Sequence, residues 1–105
     1  MAGFIQIIEF TTSRPDDVKA LSDDYRATRV AANDGTPPAK GTIVADRDRP
    51  NTYLNIVEFA SYEDAMANSN DPRTSEFAEQ MMKLCDGPPT FYNTDVIESW
   101  DNPNA

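Results

Sequence analysis

The chain has 105 residues, with 18 acidic and 9 basic side chains, no histidine and one cysteine. This length supports one compact domain, and the formal net charge of −9 argues against nucleic acid or an anionic membrane surface as a partner, since both are polyanions. The absence of histidine excludes Ser-His-Asp and Cys-His catalysis and His-ligated zinc or haem, and the single cysteine excludes an internal disulfide.

The sequence also lacks the signals that direct a chain into or across a membrane. No apolar run approaches the roughly 18–20 residues that span a bilayer, and no basic segment followed by an apolar one is present at the start. We therefore expect a cytoplasmic protein with one domain over residues 1–105, of which 101–105 form a loose tail.

The first half of the chain predicts a strand, a long helix and a hairpin. β-Branched and aromatic residues run from 4 to 10 and indicate a strand. A helix is predicted over 15–32, opened by a capping box at 13–16 and ended by an Asn-Asp-Gly sequence. Its inward stripe consists of residues spaced by three or four positions, namely Val18, Leu21, Tyr25, Thr28 and Ala32. Residues 41–49 and 52–60 predict two strands, and the short polar turn between them indicates a hairpin.

The second half predicts a broken helix and a last strand. A short helix begins with a capping box at Ser61 and extends to about Asn68. Asp71 and Pro72 then open another helix, with Phe77, Met81 and Leu84 on one face. The final strand is predicted over 90–100. The order β-α-β-β-α-β, with the second helix broken, predicts an α+β ferredoxin-like fold: an antiparallel four-stranded sheet with its helices on one face.

Both faces of the first and third strands are apolar, although only one can be covered by helices. The first strand alternates Phe4, Ile8 and Phe10 on one side with Ile5 and Ile7 on the other. A sheet with one wet face should instead alternate apolar and polar residues. We therefore expect a second copy of the chain to cover the other face; edge effects or the tail are the alternative.

The third strand and the helices after it resemble a known superfamily. The run over 53–65, together with Asn68, the Asp71-Pro72 step and Phe77, resembles the dimeric α/β-barrel superfamily, and in particular its antibiotic-biosynthesis-monooxygenase-like domains. The resemblance covers residues 4–100. It implies a homodimer whose sheets form a barrel, with one pocket per subunit between sheet and helices.

The resemblance carries over to only a few positions. Gln6 matches the first-strand position where the haem-degrading branch places a polar amide toward the pocket. Phe59 stands where the family usually has Trp, and Asn68 stands near where many members have His. These three are therefore candidate ligand-binding residues. The haem-binding branch also uses a histidine that this chain lacks, so the resemblance does not support haem degradation.

Five polar residues are candidates for a role in the pocket. Gln6 and Asn55 lie mid-strand, where buried amides need partners; they either orient a polar ligand or bond one another or a water molecule. Tyr25 and Tyr53 suit a planar ligand, although Tyr25 also fits the helix core. Asp95 is the candidate general base and Tyr53 a second catalytic candidate. The alternative for Asp95 is the solvated side of an edge strand.

Three further residues have an ordinary structural explanation. Arg26 and Arg29 lie beside the inward stripe of the first helix and either reach a ligand anion or, as the ordinary explanation, pair with Asp23 or Asp24 on the surface. Cys85 lacks the positive surroundings that activate a thiolate, so we expect a buried, inert thiol.

Two functions from different classes fit these observations. The first is a cofactor-independent monooxygenase, or related enzyme, acting on a small aromatic or polyketide-like molecule; this is what the resemblance implies, and it needs no cofactor, metal or histidine. The second is a non-catalytic homodimer of the same fold that binds a small hydrophobic or aromatic molecule. The fold alone does not choose between them.

Overall fold

A computed structural model of the protein describes residues 3–105. Four strands and three helices follow one another in this order: β1 (Phe4–Thr11), α1 (Pro15–Ala32), β2 (Lys40–Ala45), β3 (Thr52–Phe59), α2 (Tyr62–Ser69), α3 (Pro72–Leu84) and β4 (Thr90–Asp95). The strands form one antiparallel sheet in the order β2-β3-β1-β4. The predicted ferredoxin-like fold, including the broken second helix, is therefore confirmed.

The predicted helix starts are confirmed for α2 and α3 but are wrong in detail for α1. Ser61 caps α2 by accepting a hydrogen bond from the Asp64 backbone N–H at 3.1 Å, and Asp71 caps α3. The capping box predicted at 13–16 does not form, because the Ser13 hydroxyl donates to Asp86 instead. Helix α1 begins after Arg14, whose backbone N–H donates to the buried Thr12 hydroxyl at 3.0 Å.

The inward stripe of α1 differs from the predicted one at its C-terminal end. Thr28 and Ala32, which were expected to face inward, are exposed. The buried residues of this helix are Val18, Ser22 and Arg29. They lie four and seven positions apart, which also places them on one helix face. Arg29, which was expected beside the inward stripe, is therefore part of the buried face.

The last strand is shorter than predicted. Pairing of β4 with β1 ends where Asp95 lies opposite Phe4, the first residue of β1, and the Val96 N–H then donates to the Gly3 carbonyl. Among residues 3–105, the ladder between β1 and β4 ends at this pair. Residues 96–105 are irregular, and Ile97 and Trp100 are strongly exposed.

The strand register assigns the side chains to two faces. The inner face turns toward α1 and α3, and its residues on the two central strands are Phe4, Gln6, Ile8, Phe10, Tyr53, Asn55, Val57 and Phe59. The outer face carries an apolar patch, which consists of Ile5, Ile7, Val44, Leu54, Ile56 and Tyr92. Both central strands are thus apolar on both sides, as predicted from their sequences.

A packed cluster lies at one end of the inner face, and Phe10 is buried toward the other end. Phe4, Val57, Phe59 and Ala65 form a buried cluster beneath α2, with Ile8 and Met66 packed against it. Helix α2 packs on β3, whereas α1 and α3 pack on one another. The radius of gyration is 14.5 Å, against about 13 Å expected for a chain of this length. A cavity therefore remains between the middle of the sheet and helices α1 and α3.

Candidate functional site

A large cavity lies between the inner face of the sheet and helices α1 and α3. Its volume is about 1300 Å³, which exceeds the roughly 300–1,000 Å³ of typical small-molecule sites. Its wall includes apolar side chains that remain exposed, among them Ile43, Met82 and Phe91. Displacing water from exposed apolar surface in a concave site is favourable for an apolar ligand. The cavity is therefore suited to a hydrophobic molecule.

Six of the seven predicted site residues lie in the wall of this cavity. They are Gln6, Tyr25, Tyr53, Asn55, Phe59 and Asn68. The seventh, Asp95, is exposed near the end of the edge strand β4 and does not belong to the wall. The structure thus brings the amides and tyrosines around one space and leaves the predicted base outside it.

The mid-sheet amides do not pair with each other. Gln6 Nε2 donates to Asn93 Oδ1 on β4 at 3.0 Å. Asn55 on β3 stands directly opposite Ile8 of β1 and is half-buried in the cavity wall. Of the two predicted polar anchors, Gln6 is thus held by a neighbouring strand, and Asn55 is the one placed to meet a ligand.

Aromatic pairs stand on two sides of the cavity. Tyr53 stacks on Phe10 with ring centroids 5.6 Å apart, on the sheet side. Tyr25 stacks on Phe77 with centroids 4.2 Å apart, on the helix side. Such rigid, flat surfaces favour a planar ligand. The phenol groups of the two tyrosines add polar atoms to an otherwise apolar wall.

Arg29 is a cavity residue for which surface pairing was the ordinary explanation. That explanation is correct for Arg26, which pairs with Asp23 on the exposed side of α1. It is wrong for Arg29, which is only 5% exposed. Arg29 Nη1 donates to the Tyr25 hydroxyl at 2.6 Å, and the guanidinium carbon lies 5.6 Å from the Tyr25 ring centroid. The sequence signal for this position was its spacing of four residues from Tyr25, which places both residues on the same side of the helix.

Asp71 supplies the negative charge nearest to Arg29. Its carboxylate accepts hydrogen bonds from the Arg73 guanidinium at 2.6 and 3.0 Å and from the Arg73 backbone N–H at 2.9 Å. These bonds, followed by the charges of Arg73 and Arg29, hold the pKa of Asp71 well below its usual range. Asp71 is therefore ionised at neutral pH and fixes the start of α3 beside the cavity.

Cys85 also belongs to the cavity wall and is half-buried, less than expected. Burial, and secondarily the charge of Asp86, raise the pKa of its thiol. The thiol is therefore protonated at neutral pH, which argues against a role as nucleophile. Among residues 3–105, the His, Cys, Asp and Glu side chains form no group of three that could hold a metal ion.

Within the part of the chain that the structure describes, no helix combines the length and apolar character needed to cross a bilayer.

Comparisons with known proteins identify the fold but no close relative. No family model and no curated protein matches the sequence. Among solved structures, a Bordetella bronchiseptica protein provisionally assigned as an antibiotic biosynthesis monooxygenase superposes with a TM-score of 0.75 at 13% identity, covering 93% of this chain and 100% of that one. A Caulobacter crescentus protein with the same provisional assignment gives 0.75 at 13% identity, covering 92% of each chain.

A third structure has a described activity. SnoaB, a cofactor-independent oxygenase from Streptomyces nogalater, superposes with a TM-score of 0.71 at 15% identity, covering 98% of this chain and 99% of that one. At such identities the similarity establishes architecture and not chemistry. The resemblance found in the sequence is thus confirmed at the level of the fold: the chain has the same fold as the solved structures assigned as antibiotic biosynthesis monooxygenases.

Proposed function

We propose that the chain binds a small, planar aromatic molecule in the cavity and acts on it as a cofactor-independent monooxygenase. The observation that carries this proposal is the cavity of about 1300 Å³, which is walled by apolar side chains and by aromatic pairs on two sides. The fold that the chain shares with SnoaB supports the reaction class.

The reaction requires an electron-rich ring carbon and molecular oxygen. The reacting carbon carries two hydrogens, as in an anthrone. It loses one as a proton, and the carbanion adds O₂ to give a hydroperoxide. Loss of the second hydrogen as a proton, with cleavage of the O–O bond, then leaves a ketone and releases the other oxygen atom as water. An apolar cavity assists by keeping bulk water from the carbanion. We assign Asn55 to orient the substrate oxygen and Tyr53 to proton transfer, since both lie in the wall. Asp95, the base expected from the sequence, does not line the wall, so we assign the proton transfer to Tyr53 in its place.

The alternative is binding without catalysis, and one contact favours it. The Gln6–Asn93 hydrogen bond already engages the Nε2 group of Gln6. A polar group that is already paired contributes less to a developing charge than a free one. A chain whose cavity sequesters an aromatic molecule would need only the apolar wall.

We also propose that the functional unit is a homodimer formed through the outer face of the sheet. The apolar patch is flanked on this face by charged residues: Glu9 pairs with Arg49 at 3.2 Å toward one end, and Lys40 stands opposite Glu58 toward the other. A two-fold axis through the patch would bury the apolar centre and leave the charges at the rim, as in stable interfaces.

The proposed reaction is tested by binding and then by oxygen consumption. Quinols and anthrones are screened by thermal shift and absorbance, and each compound that binds is followed with an oxygen electrode. We expect O₂ uptake with at least one binder and a loss of at least about tenfold in Asn55→Leu, with Asn102→Leu in the exposed tail as the matched control. Tight binding without O₂ uptake by any compound would instead support the non-catalytic alternative.

A further inference from the structure

The buried guanidinium of Arg29 has donors that no group in residues 3–105 satisfies. Its Nη1 donates to the Tyr25 hydroxyl at 2.6 Å and, at 3.5 Å, to the Thr74 hydroxyl. Its Nε and Nη2 are buried and have no hydrogen-bond partner among the described residues. Buried donors without partners are rare in folded proteins because desolvation is not compensated. These two nitrogens are therefore available to an acceptor from outside the described residues, either a water molecule or a ligand.

The charge of Arg29 is also only partly neutralised. Asp71 Oδ2 lies 3.6 Å from Arg29 Nη2, beyond hydrogen-bond distance, but 2.6 Å from Arg73 Nη2. Asp34, in the loop after α1, also pairs with Arg73, at 2.7 Å. The nearby carboxylates are thus engaged mainly by Arg73, and the guanidinium of Arg29 retains the capacity to bind an anion.

An unpartnered acceptor lies in the same wall. Asn68 Oδ1 is buried without a hydrogen-bond partner in the described part of the chain, and Asn68 lines the cavity together with Arg29. The Asn68 backbone carbonyl accepts from the Asp71 N–H at 3.2 Å, so Asn68 belongs to the α2–α3 junction that also approaches Arg29. Free donors and a free acceptor are therefore present on one side of the cavity.

We propose that Arg29 forms an anion-binding subsite and that the cavity takes an aromatic acid. The carboxylate would bind Arg29 Nε and Nη2, while Asn68 Oδ1 accepts from a hydroxyl or N–H carried on the same ring system. The stacked rings of Tyr25 and Phe77 lie next to the guanidinium and provide the surface for the ring. The inference rests on the proposed function in one respect, namely that the cavity binds an aromatic molecule.

The test compares one ring system with and without its charge. The probes are 3-hydroxy-2-naphthoate and its neutral amide, 3-hydroxy-2-naphthamide, each titrated by calorimetry at neutral pH. We expect wild type to bind the acid more tightly than the amide. Arg29→Gln should weaken the acid about 10- to 100-fold, the range for a charged hydrogen bond, and change the amide less than about threefold. Arg47→Gln, an exposed site outside the cavity, removes the same charge and should change neither.

Asn68 is tested with a probe that lacks the hydroxyl group. Asn68→Ala should weaken 4-hydroxy-2-naphthoate, whose hydroxyl is meta to the carboxylate and does not bond it, by about five- to tenfold, as expected for one neutral hydrogen bond. It should leave 2-naphthoate unchanged. Equal effects on both probes would overturn the role of Asn68 as acceptor.

The outcomes separate the subsite from the binding function. Equal affinities for acid and amide, unaltered by Arg29→Gln, would overturn the subsite and leave cavity binding intact. Failure of both probes to bind wild type would overturn cavity binding and the subsite together. Should Arg29→Gln not fold, the Nε–H NMR signal of Arg29 in wild type decides: a shift with the acid but not the amide supports the subsite, and no shift overturns it.

Discussion

Phe91 and Tyr92 are neighbours on β4 and point to opposite faces of the sheet. Phe91 stands opposite Ile8 on the inner face and lines the cavity, whereas Tyr92 stands opposite Ile7 on the outer face. Both side chains are about half exposed, at 52% and 45%. Replacing each with alanine therefore removes a similar aromatic surface from the same strand but from two different proposed interfaces, so each variant is the control for the other.

The magnitudes are set by the exposed areas. About half of an aromatic side chain of roughly 200 Å² is about 100 Å², which at 25 cal/mol per Å² corresponds to about 2.5 kcal/mol if a partner covers it fully. Phe91→Ala should therefore weaken the binding of an aromatic ligand by up to about 60-fold. A two-fold dimer buries Tyr92 of both subunits, so Tyr92→Ala removes up to about 4.5 kcal/mol of dimerisation free energy. Dimerisation should therefore weaken by up to about a thousandfold.

The assay measures both equilibria on both variants. Ligand affinity is obtained by calorimetry with 3-hydroxy-2-naphthoate, and dimer affinity by sedimentation over a dilution series, after circular dichroism has shown that each variant is folded. We expect Phe91→Ala to weaken ligand affinity without changing dimer affinity, and Tyr92→Ala to weaken dimer affinity without changing ligand affinity. A Tyr92→Ala chain that dimerises as wild type does, or loss of the dimer on Phe91→Ala only, would refute the assignment of the two faces.

Three further predictions concern stability. Thr12 is fully buried and its hydroxyl donates to the Leu84 carbonyl at 2.6 Å, so Thr12→Val should destabilise the fold by about 1–3 kcal/mol in urea denaturation. Ser61→Ala removes the cap of α2 and should cost about 1 kcal/mol, with Ser61→Gly costing only a few tenths. Hydrogen bonds from Arg73 lower the pKa of Asp71 in the folded state. The ionised carboxylate therefore stabilises the fold fully above the pKa of the unfolded state, about 3.9, and this stabilisation is lost as the pH falls below that value. The Tm difference between wild type and Asp71→Asn should shrink from pH 7 to pH 3.

Each of these predictions has a result that contradicts it. A Thr12→Val variant within about 0.5 kcal/mol of wild type, the scatter of ordinary surface changes, would show that the hydroxyl is dispensable. A Ser61→Ala variant as stable as wild type would show that the cap contributes nothing. A Tm difference for Asp71→Asn that stays constant between pH 7 and pH 3 would show that the ionised carboxylate does not stabilise the fold.

The sequence was most informative where local patterns decide the structure. β1 and β3 are apolar on both sides over eight residues each, and their central position in the sheet agrees with the connection order. The caps at Ser61 and Asp71 depend on residues within three positions, so they were predictable too. The end of β4 was not predictable from its own sequence, because β4 ends opposite the first residue of β1, which lies at the other end of the chain.

The candidate site was predictable in outline but not in its contacts. Alternation along the strands placed Gln6 and Asn55 on one face, yet the partner of Gln6 depends on the register of β4. Surface pairing was the ordinary explanation for Arg29 because arginine is rarely buried. Its burial results from the tertiary packing of α1 against α3, which brings Thr74 and Asp71 to a face that the sequence of α1 alone does not describe.

The central claim is that the sheet is covered on both faces, by the cavity and its helices on one side and by a second copy of the chain on the other. Sedimentation velocity of the wild-type chain at micromolar concentration tests it most directly. We expect a single species of twice 11.7 kDa. A single species of 11.7 kDa at the same concentration would contradict the claim.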